Sequence, residues 1–407
     1  MKILYLNPDH GVPVLGRKGC STHVREVCRA LALRGHEVIC LTALAGEDGE
    51  LFDQSLPFDL LELPGFRARW MGADLRHVLY NMRLRRGIKQ VMRSFEPDLM
   101  YERYALYATA GQVMAARAGV PHMLEVNTFL AREQARRLHL PRMAAWWEGA
   151  IWRGADALVA VSSPLGRDLV EQGFAVRPER LRVMPMAVDT ARFFPRAAPR
   201  ADTPLAPHVP PGWCAVIYSG ALTAWHGIES FFGIAEQFRD AGDPIKIIAL
   251  GGEALHVKKY ATYVDERGLG QHLSFVGSVP HAQVPEWLAA ADVGFIAHTS
   301  EYSSPTKMFE YMASGLPVVA PDLPAIREVL GAADAMGALF DGSDAGAVAA
   351  LRLLAYGGGE AEAKQVSGGS GLRHERGQAA RRAAEDQHSW DSVAKSIESF
   401  YSELVGR

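Results

Sequence analysis

Residues Ser303 to Gly315 read SSPTKMFEYMASG and run directly into the apolar stretch LPVVAP. Pro305 in a short polar loop, an amphipathic pattern from Thr306 and a stop at Gly315 predict a helix feeding a buried strand. The chain opens on a second unit of this kind. The apolar run MKILYLNP is followed by a long loop rich in Gly, Pro and Lys, and Gly19-Cys20-Ser21-Thr22-His23 starts a helix reaching about Arg34, which Gly35-His36 ends before EVICLTA. Strand, loop, helix and strand in this order call for a parallel sheet covered by helices on both faces.

Strands are expected at 2–8, 37–43, 59–64, 98–104, 122–127 and 157–162, and then in AVIYSG, IKIIALGG, LSFVG, VGFIA and LPVVAP. A chain of 407 residues suits two domains, each with its own core. Prolines 195, 199, 204, 207, 210 and 211 mark 196–213 as a linker. The expected architecture is α/β: a doubly wound domain over 1–195, the linker, and a second over 214–387, with the C-terminal strand edges of both at one cleft. Residues 356–386 read as a mobile loop followed by a polar helix.

Composition narrows the function. With 48% hydrophobic residues, 22% charged and a net charge of −3, the chain reads as a soluble globular protein without a nucleic-acid signature. No apolar run approaches the roughly 18 residues of a membrane span, and the N-terminus is not a signal peptide, so a cytoplasmic location is expected. Cys20, Cys28, Cys40 and Cys214 form no Cys-x-x-Cys pair and no disulfide framework. Cys20 reads either as a small loop residue or as a reactive thiol.

The helix start at Thr306 carries chemistry. Amides there favour phosphate oxygens, Lys307 adds a cation, and Glu310 can accept hydrogen bonds from vicinal hydroxyls, so the unit reads as a nucleotide site. The same Lys and Glu also read as an i, i+3 surface pair.

KGCSTHVREVCRALALRGHEV in the first half, and YSGALTAWHGIESF, LSFVGSVPHAQVPEWLAAADVGFIA and SSPTKMFEYMASGLPVVA in the second, resemble a family 4 glycosyltransferase of the GT-B superfamily. The resemblance spans nearly the whole chain in the family's order. It implies two Rossmann-like domains, an N-terminal one for the acceptor and a C-terminal one for the donor, with a final helix at 388–407 packing back on the first. It also implies a nucleoside-diphosphate sugar as donor, with UDP or GDP as the expected nucleotide, a hydroxyl acceptor, no further cofactor, and hexosyl or N-acetylhexosaminyl transfer with retention.

Within that resemblance, Glu310 matches the glutamate that binds the ribose, and Tyr302 stands where a preceding glutamate is usual, with Glu301 one residue earlier. The stretch Tyr302, Ser303, Ser304, Thr306 and Lys307 offers backbone amides to an anion. Gly220 and Ala221 begin the loop that in relatives supplies an Arg and a Lys; here those places are held by Ala221 and His226, so either His226 serves the diphosphate as a protonated or neutral donor, or the charge comes from Lys307 and Lys18. Gly277 matches a backbone reader of the base, and Gly19 and Cys20 open the first helix. Asn127 replaces a histidine of a Thr-x-His pattern, with Glu125, Arg132 and Glu133 as nearby acceptor contacts or solvated charges. The candidate catalytic residues are therefore His226, Lys307, Asn127 and Glu301.

No Asp-x-Asp occurs and the 14 histidines form no metalloenzyme pairing, so a metal-independent reaction is expected. The basic residues from Arg67 to Arg93, interleaved with Trp70, Leu79, Tyr80 and Met82, read as a peripheral contact with anionic lipid, as a binding surface for an acidic acceptor, or as the solvated face of a domain helix. Two other readings stay open: a nucleotide-sugar epimerase or sugar phosphorylase on the same architecture, and a Rossmann binding or redox protein, which would want a Gly-x-Gly-x-x-Gly after a first strand.

Overall fold

The structure, a computed structural model, describes all residues except 17, 47–55, 66–71, 172–175, 197–199, 332–334, 358–365 and 407. The chain divides into two compact units, Met1–Pro185 with Trp390–Arg407, and Met186–Ser389.

The first unit is built on a parallel sheet. Its strands are β1 (Lys2–Asn7), β2 (Glu37–Thr42), β3 (Asp59–Glu62), β4 (Leu99–Arg103), β5 (His122–Val126), β6 (Ala157–Ala160) and β7 (Leu181–Val183), in the order β3-β2-β1-β4-β5-β6-β7. Ile3 pairs with both Val38 and Leu99, so β1 lies at the point where the strand order reverses and the loops after β1 and β4 diverge. The helix Ala73–Phe95 lays Tyr80, Leu84, Ile88 and Val91 against Leu4, Leu6, Leu41 and Met100, while Arg83, Arg86, Lys89 and Arg93 are exposed. Those four thus lie on the outer face of a helix packed on its sheet, while Arg76 and Arg85 are half-buried; Arg67, Arg69 and Trp70 lie outside the described residues. The helix Trp390–Val405 packs on Gly19–Leu33 in this unit, where Glu398 accepts from Arg34 Nε at 2.7 Å and approaches His36 Nε2 at 2.7 Å.

The second unit carries β8 (Cys214–Ser219), β9 (Ile245–Leu250), β10 (Leu273–Gly277), β11 (Val293–Phe295), β12 (Val318–Pro321) and β13 (Gly337–Phe340), in the order β10-β9-β8-β11-β12-β13. Val216, Ile247, Val293 and Val319 are fully buried between helices such as Ser230–Ala241 and Asp344–Tyr356. The strands β7 and β13 were not among those expected: LRV carries a central arginine and GALF opens on Gly-Ala, so neither reads as a buried apolar run.

The proline-rich stretch differs from the expected linker. Leu205 and Val209 are buried, Arg200 Nη1 donates to Trp213 O at 2.9 Å, and its Nη2 pairs with Asp292, so this stretch packs as part of the second unit. Rings that cannot join a ladder still pack, and arginine satisfies the carbonyls they leave. Of 356–386, the described part holds the helix Ser370–Gln387, packed on Thr306–Ala313 and tied down by Arg381, which donates to the carbonyls of Thr190, Phe193 and Ala313. Among the described residues no helix is long and apolar enough to cross a membrane.

Candidate active site

In the second unit the strand ends are stitched level by backbone bonds: Gly220 N donates to Leu250 O at 2.9 Å, and Gly251 N to Gly277 O at 2.7 Å. Gly220 (φ 145°) and Gly251 (φ 118°) adopt backbone that side chains rarely tolerate, and a Cβ on Gly251 would stand 2.3 Å from Gly220 O. This platform lies under the helix Thr306–Ala313. Tyr311 pins that helix to β8, its hydroxyl accepting from Ser219 N at 2.8 Å. The helix has Pro305 ahead of it and no side-chain cap, which leaves its first amides directed at the loop's open side.

Three polar side chains meet here. Lys307 Nζ lies 4.1 Å from the Tyr218 ring centroid, and the His226 ring is 6.2 Å from the same ring on a 3-10 turn, Ala224–His226. Glu310 follows Lys307 by one helical turn. Burial lowers the Lys307 ammonium to about 7, against the pull of Glu310. Burial raises the Glu310 carboxyl to about 7, with Arg192 and Lys307 opposing. Burial, with Lys307 and His298, lowers His226 to about 3, so its imidazole is neutral at pH 7. Among the described residues none of these three side chains has a hydrogen-bond or ion-pair partner.

The expected loop residues divide by role. Ser304 is buried and its hydroxyl accepts from Met186 N at 3.0 Å, an anchor within the unit. Ser303 bonds Ser300 through both backbone and hydroxyl. Glu301 is exposed on a turn with Tyr302 beside it. Gly277 ends β10 on the same sheet edge. Sequence reasoning missed Tyr218, Tyr311 and Arg192, whose contacts arise from strand and loop neighbours far apart in the chain.

In the first unit, Gly19 and Cys20 form the first turn of Gly19–Leu33, and Asn127 follows β5. Glu125, read from sequence as an acceptor contact or a solvated charge, is 2% exposed. It accepts from Tyr101 Oη at 2.7 Å and Asn127 Nδ2 at 2.7 Å, and lies 3.3 Å from His23 Nε2 and 3.4 Å from Arg103 Nη1. Glu133 bonds Thr128, and Arg132 covers the Phe129 ring at 4.9 Å. Glu148, also buried, accepts from Tyr104 Oη at 2.8 Å and Ala131 N at 3.1 Å. Among the described residues no group of three or more His, Cys, Asp or Glu side chains is placed to hold a metal ion.

Residues 17–192 match the model of Glycosyltransferase Family 4, and residues 214–356 that of Glycosyl transferases group 1. The chain is 25% identical over 370 residues to a D-inositol 3-phosphate glycosyltransferase of Acidothermus cellulolyticus, covering 82% of this chain and 78% of that one. It is 24% identical to an MMP alpha-(1->4)-mannosyltransferase of Mycolicibacterium hassiacum, covering 96% and 95%. Among solved structures, sucrose-phosphate synthase from Thermosynechococcus elongatus superposes with a TM-score of 0.75 at 18% identity, covering 100% of this chain and 99% of that one. HepE of Anabaena, solved with UDP and glucose, gives a TM-score of 0.71 at 18% identity, covering 99% of each chain.

Proposed function

Because the chain belongs to the family 4 glycosyltransferases of the GT-B superfamily, we propose that it moves a sugar from a nucleoside-diphosphate sugar to an acceptor hydroxyl, with retention and without a metal ion. The observation that carries the donor class is the trio Lys307, Glu310 and His226: an amine, a carboxyl and a neutral imidazole around one helix start, none with a hydrogen-bond or ion-pair partner for its side chain among the described residues. Lys307 and the first amides of Thr306–Ala313 would take the diphosphate, and Glu310 the ribose diol. His226 would donate to a diphosphate oxygen as charge grows on the leaving group.

Donor nucleotides of the UDP or GDP type are supported by the neighbour solved with UDP and by the sugar-transferring relatives. Metal independence rests on Lys307 supplying positive charge and on the absence of Asp-x-Asp in the chain. Retention rests on the family resemblance, with the departing phosphate as the base for a front-side attack. Asn127 and Glu301 stay candidates for contacts with sugar or acceptor, and no cofactor beyond the donor is invoked. A charged donor that does not cross bilayers suits a cytoplasmic enzyme, with the basic outer face of Ala73–Phe95 facing any anionic lipid. An epimerase or phosphorylase is not favoured, since both matched models are transferases.

Turnover of a panel of UDP and GDP sugars in excess chelator tests the reading. Transfer with retained anomeric configuration is expected. Activity that disappears with EDTA and returns with magnesium or manganese would overturn the metal-free mechanism; no stabilisation by any nucleoside diphosphate in thermal unfolding would overturn the donor class.

A further inference from the structure

Lys307 has an unusual seat. Its amine lies 4.1 Å from the centre of the Tyr218 ring, and a Cβ on Gly220 would stand 2.9 Å from Nζ, so the amine fills the space that the glycine leaves. Tyr218 itself is 1% exposed and spans two parts of the site: its hydroxyl donates to Ala221 O at 2.7 Å, and its ring edge faces His226. Ala221 stands where the family pattern places an arginine. One strand residue therefore seats the amine from the neighbouring helix and fixes the loop that lacks its own cation.

We propose that Tyr218 is the positioning residue for Lys307, and that a nucleoside diphosphate completes the site by taking up a proton on that amine. The inference rests on the donor class proposed above. Groups facing the amine are Glu310 from its own helix, Tyr218 from β8 and His226 from the 3-10 turn, while His298 from the segment after β11 faces His226 and Arg192 faces Glu310. Among the described residues none of these gives the amine a hydrogen bond or an ion pair, and the face of the Tyr218 ring lies against it. Burial holds its proton affinity near neutrality, at about 7. A diphosphate placed against it favours the ammonium, so binding draws in a proton between pH 7 and 8.5 and stops doing so below about pH 6.

Calorimetric titration of UDP and GDP, in buffers of differing ionisation enthalpy at pH 7.5, counts the protons taken up. Wild type should take up more protons than Lys307→Met. Tyr218→Phe, which keeps the ring against Lys307 but loses the hydroxyl bond to Ala221 O, should match wild type in proton count, and Tyr218→Leu should match Lys307→Met, with affinity reduced about tenfold because the amine is released to solvent. Equal proton counts for wild type and Lys307→Met overturn the proposal, and that comparison stands even if Tyr218→Leu fails to fold. Wild-type affinity and proton count in a folded Tyr218→Leu also overturn it, while leaving the donor class intact. Failure of wild type to bind either nucleotide removes the donor class and this inference with it.

Discussion

Glu125 at the end of β5 and the trio at the start of Thr306–Ala313 both place charge at the C-terminal edge of a parallel sheet, each in its own unit. Glu125 is surrounded by Tyr101, Asn127, His23 and Arg103, and the protein completes it. Lys307, Glu310 and His226 have desolvated surroundings and, among the described residues, no hydrogen-bond or ion-pair partner for their side chains. A charge that is buried and satisfied holds structure together, whereas one that is buried and unsatisfied costs stability unless a ligand completes it. The two regions should therefore answer mutation in opposite ways.

The largest effect is expected at Glu125. Glu125→Ala leaves Arg103 without its carboxylate and Tyr101 without an acceptor, at a cost of about 3–5 kcal/mol and a fall in Tm on the order of 10 °C. Thermal unfolding checks this. A variant as stable as wild type would mean that the network is not structural, and the contrast would collapse.

Lys307→Met should do the reverse. Unfolding should stay within about 1 kcal/mol of wild type, because among the described residues the amine has no hydrogen bond or ion pair to lose and only the Tyr218 ring against it. Steady-state kinetics should show kcat lower by about a hundredfold with a smaller change in KM, since charge on the leaving diphosphate grows towards the transition state. A large loss of Tm with unchanged kcat would assign Lys307 a structural role.

The same contrast explains what was legible in the chain. Long apolar runs such as KILYLN and IKIIAL announce buried strands, and Lys307 and Glu310 are conspicuous because a helix start collects phosphate chemistry at fixed spacing. β7 and β13 escaped because Arg182 interrupts the one and Gly337-Ala338 opens the other, so neither stands out as an apolar run. Tyr218 reads as one more apolar residue of AVIYSG; its function comes from an amine 89 positions later. Glu125 was misjudged for a like reason. Its partners come from β4, the first helix and Asn127, so its burial is a property of the assembled sheet.

The smallest expected effect separates two carboxyls that titrate alike for different reasons. Burial raises both Glu148 and Glu310 to about 7. For each, the folded value lies above the ordinary one near 4.5, so the folded state prefers the neutral acid. Stability from that preference is complete below about pH 4.5 and is lost as pH rises through 7. Replacing either by glutamine should remove its share of that decline, so both variants gain on wild type between pH 5 and 8. At pH 5 they should part. Glu148 accepts from Tyr104 and from the amides of Leu130 and Ala131, and a glutamine turns an NH2 towards one of these donors, which costs roughly 1 kcal/mol. Glu310 has no such donors to offend, so Glu310→Gln should match wild type at pH 5 while binding UDP or GDP about tenfold more weakly, through loss of a charge-assisted contact. Unfolding curves across that pH range, with and without nucleotide, measure both. Equal losses at pH 5 would show that Glu310 is held by protein groups after all, and would place it with Glu125 on the structural side.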